Sequence, residues 1–319
     1  MTASHYRDRR VWVTGGSGVI GRELLEMLCA SGASVMCCDL KPRPQWLDSA
    51  VVYVQGDAND LTVDRVEDFQ PDYCFHLAAT FERTTESEEF WAENFHHNVR
   101  LSHHVATLAR DVSSVSRVVF ASSYLTYDPA LYLFDESQDS PTQLSETAPV
   151  RPRNLCGGAK LMHEEELAFL ALFPATPFTS VSARIFRAYG RGSNDIVSRW
   201  VRSLIADPGV PLSAYRMEGL FDYVYAGDVA DGLLRLGASD ATGPVNLASG
   251  SARRVSELLE ILAARFPAMS WSEEPSEIAF EAHEAELSRL QEATEWRPSR
   301  SLEQGVDILI EHERGALEK

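Results

Sequence analysis

The chain has 319 residues, is 45% hydrophobic and 24% charged, and carries a formal net charge of −18. That length suits one large α/β domain or two unequal ones, and the acidity excludes nucleic acid or an anionic membrane as a bulk partner, since both need a basic face. No apolar run approaches a membrane-spanning helix, residues 11–13 are too short for a signal-peptide core, and the cysteines (Cys29, Cys37, Cys38, Cys74, Cys156) form no Cys-x-x-Cys pair, so reduced thiols and a cytoplasmic location are expected.

Residues 10–14 form a short β run that ends in Gly15-Gly16-Ser17-Gly18-Val19-Ile20-Gly21, and residues 23–30 have helical periodicity stopped by Gly32. Residues 33–39 read as a second strand ending in an acid, 51–55 as a third followed by Gly56-Asp57, and 73–79 as a fourth. A helix is expected over 90–110 and a fifth strand over 117–123. His96, His97, His103 and His104 lie on that helix. The two pairs stand about 10 Å apart along its axis, too far to share one ion, so a solvated or interface face is expected and no metal. Residues 128–153 are rich in Pro, Ser, Asp and Gln and read as a long loop, and 160–172 are strongly helical.

Beyond Phe173, strands at 179–186, 222–225 and 245–248 and helices at 193–206, 227–236, 256–266 and 302–312 continue the alternation. The pattern predicts an α/β protein with a Rossmann-like, doubly wound parallel sheet and a smaller mixed C-terminal substrate lobe. Residues 1–178, with 222–248 returning to them, are assigned to the nucleotide-binding part, and 179–221 with 249–319 to the smaller lobe.

Gly15, Gly18 and Gly21 sit between a strand and a helix. Glycines there allow a tight turn and close backbone approach, and the helix N-terminus, with Val19 and Ile20 in its first turn, offers N–H groups to a pyrophosphate. Asp39, followed by Leu40, ends the second strand, where an acid binds ribose hydroxyls and repels a 2′-phosphate. NAD is therefore expected over NADP, although Lys41 and Arg43 lie just beyond.

With these segments the chain resembles an extended short-chain dehydrogenase/reductase of the nucleotide-sugar epimerase and dehydratase group. The resemblance also rests on Phe75-His76-Leu77-Ala78-Ala79, Asn98-Val99, Val119-Phe120-Ala121-Ser122-Ser123, Arg184-Ile185-Phe186-Arg187-Ala188-Tyr189-Gly190, residues 221–230 and Trp296-Arg297-Pro298. It implies a cofactor site in which Asp57 and Ala58 meet the adenine. Leu77, Ala78 and Ala79 line the centre, Asn98 lies behind the nicotinamide side, and Ala121 and Phe186 flank the site. It implies that Ser123 hydrogen-bonds the reacting substrate oxygen and that Lys160 holds the nicotinamide ribose and lowers the neighbouring acid's pKa. A homodimer through the helices at 90–110 and 160–172 is also implied, with Leu161, Leu167, Phe169 and Leu170 as the apolar residues to bury.

The chain departs from that pattern at Cys156, which stands where the group carries a tyrosine four residues before Lys160. Three readings stay open: a working thiolate, a spacer that leaves the proton transfer to Tyr124 or a water chain, or a site without that chemistry. Tyr124 and Leu125 occupy positions where dehydratases of the group carry acids, which lowers the expectation of elimination. Phe221 stands where an arginine grips the diphosphate, so Arg187, with Arg191 and Arg199, is the candidate replacement; a solvated arginine face is the alternative. The expected activity is NAD-dependent epimerisation of a nucleoside diphosphate sugar through a keto-sugar. Dehydration or decarboxylation, reduction of another small substrate, and an NAD-binding protein with altered catalysis remain the alternatives.

Overall fold

The computed structural model describes residues 2–81 and 87–317. Seven strands form the central sheet: β1 (Arg10–Thr14), β2 (Ser34–Asp39), β3 (Val52–Gln55), β4 (Tyr73–His76), β5 (Arg117–Ser123), β6 (Thr179–Ile185) and β7 (Gly243–Leu247). Their spatial order is β7-β6-β5-β4-β1-β2-β3 and every pairing is parallel. The order reverses between β1 and β4, which opens a ligand crevice at the carboxyl ends of those strands. The expected doubly wound fold is thus present.

Alternate residues of each strand feed two cores, as a period of two requires. Val11, Val13, Val35, Cys37, Phe75 and Val119 pack on one face, while Trp12, Met36, Cys38, Cys74, Val118 and Phe120 pack on the other. The first face is covered by α1 (Val19–Ser31) and a helix at Ala226–Gly237, the second by helices at Leu101–Asp111 and α2 (Leu155–Leu170). A separate core at Val197, Trp200, Val201, Leu258, Leu262, Val306 and Leu309 forms the smaller lobe.

Two boundaries differ from expectation. Residues 179–185, assigned above to the smaller lobe, are β6 and fill the gap between β5 and β7; a strand buried from Ser180 to Ile185 has nowhere else to place both faces. Leu220–Tyr225, by contrast, belongs to a three-stranded sheet with Arg187–Tyr189 and Ala252–Arg254. The 128–153 loop is also more ordered than its composition suggests. Leu133–Phe134 pairs with Phe280–Glu281, and Thr142–Leu144 pairs with His283–Ala285. It is the seam between the sheet and the smaller lobe.

Candidate active site

The turn after β1 is built for close approach. Gly15 has φ 75°, and a Cβ there would lie 2.6 Å from the backbone of Ala78. The α1 N-terminus has Gly18 as its cap, no side-chain cap and no acid in its first turn, so its N–H groups are available to an anion. The Ser17 hydroxyl is buried without a partner among the described residues. Asp39 accepts from Ser17 N at 2.8 Å and Lys41 N at 3.0 Å, which holds its carboxylate beside the turn while Leu40 points to solvent. Arg43 donates to the carbonyls of Val51 (3.0 Å) and Asp48 (2.5 Å); a guanidinium so occupied does not offer a 2′-phosphate site. The bordering floor is Leu77, Ala78 and exposed Ala79, with Leu77 N and Ala78 N donating to Thr14. Buried Asn98 clamps this floor: its Oδ1 accepts from Thr80 N (2.8 Å) and its Nδ2 donates to Thr80 O (2.7 Å). Asp57 caps the turn beside Ala58 through Asn59 N at 2.9 Å. An orphaned hydroxyl, open helix amides and a carboxylate at the strand end fit a dinucleotide.

The reacting end is assembled where β5 meets α2. Ser123, the last residue of β5, accepts from Leu125 N at 3.2 Å. Asn154 caps α2 through Gly157 N at 2.8 Å, and Arg153 N donates to Leu125 O at 2.9 Å. A Cβ at Gly157 would overlap the Leu125 carbonyl oxygen. Gly157 therefore serves the packing of α2 on this turn. Cys156 lies in the first turn of α2, buried, and Lys160 lies one turn on along the same face. The Lys160 ammonium sits 4.6 Å over the Phe120 ring. Burial lowers its pKa, while the Cys156 thiol and Glu164 act in the opposite direction. Behind it, Glu164 forms a buried pair with Arg184 at 2.7 Å and accepts from Ser122. Phe186 follows β6, and Ala121 lies on β5 two residues before Ser123.

Tyr124 follows Ser123 and directs its hydroxyl to Glu281 at 3.3 Å. Its ring stacks on Phe186 (centroids 5.3 Å apart). Burial pushes its pKa up, which disfavours a phenolate there. Glu281 also pairs with Arg153 (2.7 Å) and Arg187 (2.6 Å). Burial alone would raise its pKa; the Arg187 charge, the His283 ring nitrogen 3.3 Å away and the Arg153 charge together hold it well below the carboxylate range. Arg187 lies over the Phe221 ring at 4.7 Å.

The three candidate arginines are not brought together. Arg191 is committed to Glu23 (2.8 Å) and Glu26 (2.6 Å) on α1, and Arg199 is exposed on Ile196–Ala206. The histidines divide as well: His103 pairs with Glu166 and His104 with Leu61 O at 2.8 Å, while the His96 and His97 rings meet edge to face and His96 pairs with Asp57. Sequence reasoning missed Glu281, Arg153 and Asn154. Asn154 carries a readable signal, a capping residue before a helical run; Glu281 sits in a weakly patterned segment that offers none.

Sheet order, turn and strand-end groups together define a dinucleotide-dependent enzyme of the dehydrogenase type. The chain belongs to the NAD dependent epimerase/dehydratase family, whose model matches residues 11–248, and its cofactor is NAD. It is 25% identical to dTDP-L-rhamnose 4-epimerase of Burkholderia thailandensis over 97% of this chain and 96% of that protein. Among solved structures it is similar to MoeE5 in complex with UDP-glucuronic acid and NAD (25% identity, TM-score 0.81, 96% of this chain and 99% of that one). It is likewise similar to the Thermus thermophilus UDP-glucose 4-epimerase complex with NAD (25% identity, TM-score 0.79, 96% of this chain and 99% of that one).

Proposed function

We propose that the chain interconverts epimers of a nucleoside diphosphate sugar, with Ser123, Cys156 and Lys160 as the groups at the reacting carbon. The observation that carries this reading is the seating of α2 on the Ser123–Leu125 turn through Gly157, which places Cys156 and Lys160 on one helix face beside the end of β5. NAD, when bound, would supply the acceptor and then the donor for a hydride at the carbinol carbon. Ser123 orients the sugar oxygen, the Cys156 sulfur takes its proton, and the Lys160 ammonium holds the ribose and favours the thiolate. Tyr124 then shapes the pocket wall through Glu281. The curated relatives support the reaction class: one is named a dTDP-L-rhamnose 4-epimerase, another a UDP-glucose 4-epimerase. The neighbouring structures hold UDP-glucuronic acid or UDP-glucose, which supports a nucleotide sugar as substrate. Arg187 and Arg153, paired with Glu281 at the junction of the lobes, are the candidate cationic groups for its diphosphate.

The test is product analysis by NMR after incubation with UDP-glucose, UDP-glucuronic acid and dTDP-L-rhamnose. An epimer without net accumulation of reduced cofactor supports the reading; stoichiometric reduced cofactor with an oxidised sugar overturns it.

The chain also forms a homodimer in this reading. Exposed Trp91, Phe95 and Met162 line a depression of about 350 Å³ between the helices at Glu88–Asn94, Phe95–Arg100 and α2, and Phe169 is exposed further along α2. Leu167, expected in that face, is 2% exposed and belongs to the core under the sheet.

A further inference from the structure

We infer that Asp57, His96 and His97 form a binding site for a late first-row divalent cation such as Zn²⁺, and that this ion and the adenine end of NAD exclude one another through Asp57. The ligand atoms of the three side chains lie within 4.8 Å of one another. Neighbouring residues of an α-helix point about 100° apart. Here Phe95–Arg100 is a π-helical stretch, a rare arrangement that recurs at functional sites. The His96 and His97 rings meet edge to face with centroids 4.6 Å apart. His96 Nε2 stands 2.5 Å from Asp57 Oδ2. Around a tetrahedral zinc ion, donor atoms stand about 3.3 Å from each other. To admit an ion, His96 Nε2 and Asp57 Oδ2 therefore need to separate by about 0.8 Å.

Two imidazoles and one carboxylate suit zinc, cobalt, nickel or copper and do not suit magnesium or calcium, which take oxygen ligands. Three protein ligands leave a fourth position for water. The His96 side chain is 39% exposed and that of Asp57 21% exposed, so an ion has an entry path. Asp57 Oδ1 is occupied by Asn59 N (2.9 Å) and Asn59 Nδ2 (3.0 Å), and Oδ2 is the oxygen left for either the ion or the adenine. Binding of one therefore weakens the other by the same factor.

The exclusion rests on the cofactor placement described above, and the experiment separates the two. Chelator-treated protein is titrated with Zn²⁺ by calorimetry and with Co²⁺ by visible absorption, first without NAD and then with saturating NAD. NAD binding is measured separately without metal. One ion per chain is expected, with a tetrahedral Co²⁺ spectrum. Binding should fall at least about tenfold in His97→Ala and in His96→Ala and be unchanged in His103→Ala, and NAD should weaken it at least about tenfold. Absence of stoichiometric binding, or binding indifferent to both His96→Ala and His97→Ala, overturns the site. Binding that depends on both histidines but is indifferent to NAD, in protein shown to bind NAD, overturns the shared carboxylate. Failure of NAD to bind metal-free protein would instead refute the cofactor placement.

Discussion

Replacing Glu281 with glutamine removes the one carboxylate that neutralises both Arg153 and Arg187 at the junction of the lobes. Breaking a buried ion pair from one side costs about 3–5 kcal/mol, because the partner charge stays behind. Here the guanidinium side chains are 25% and 39% exposed, so water takes up part of the unpaired charge. The expected loss is then about 2–3 kcal/mol at neutral pH. The folded-state pKa of Glu281 is depressed, so its contribution is fully present above the unfolded carboxylate value of about 4.3 and is lost as pH falls through the folded value. Denaturant titrations of wild type and Glu281→Gln at neutral pH and in acid check both points. A difference of about 2–3 kcal/mol at pH 7 that shrinks only below pH ~4 is expected. Equal stability at pH 7, or a gap that closes already near pH 6, would refute the assignment of Glu281 as the charged keystone of the seam.

The remaining expectations concern the site itself. Calorimetry should show tighter binding of NAD than of NADP, and Asp39→Ala should narrow the gap, since Asp39 borders the turn and Arg43 is tied to loop carbonyls; a wild-type preference for NADP would contradict this. Cys156→Ala should lower kcat by about 10²–10⁴, the usual worth of a general acid–base group. Tyr124→Phe should cost far less, because its hydroxyl is engaged with Glu281; the reverse ranking in steady-state kinetics would return the proton transfer to Tyr124. Gly157→Ala should destabilise α2 against the Leu125 carbonyl and lower activity with it, and a fully active, equally stable variant would sink the packing argument. Light scattering should find a dimer that Trp91→Asp dissociates; a wild-type monomer would remove the proposed interface.

The nucleotide-binding half was legible because its signals are local. A strand, a glycine turn and a helix stand consecutively, and Asp39 follows at the next strand end, so contacts between distant residues are not needed to place them. The position of Ser123 at a strand end and of Cys156 and Lys160 one turn apart on a helix was legible for the same reason. The junction of the lobes was not. Arg187, Arg153 and Glu281 meet across 94 and 128 residues of chain, and nothing in a polar loop announces that its strands of two and three residues pair with residues 280–285. Arg191 looked like a ligand group in sequence, yet its nearest acids lie on α1, 168 and 165 residues away. The strand at 179–186 was legible but its lobe was not, because a strand buried on both faces says nothing of which sheet receives it.

The fate of one hydrogen tests the proposed chemistry most directly. A nucleotide sugar labelled with deuterium at the carbon that changes configuration, incubated in ordinary water with the NAD-loaded enzyme, should give an epimer that keeps its label at that carbon, because the hydride leaves and returns within one closed site. Loss of the label to solvent would contradict hydride return and point to removal of that hydrogen as a proton.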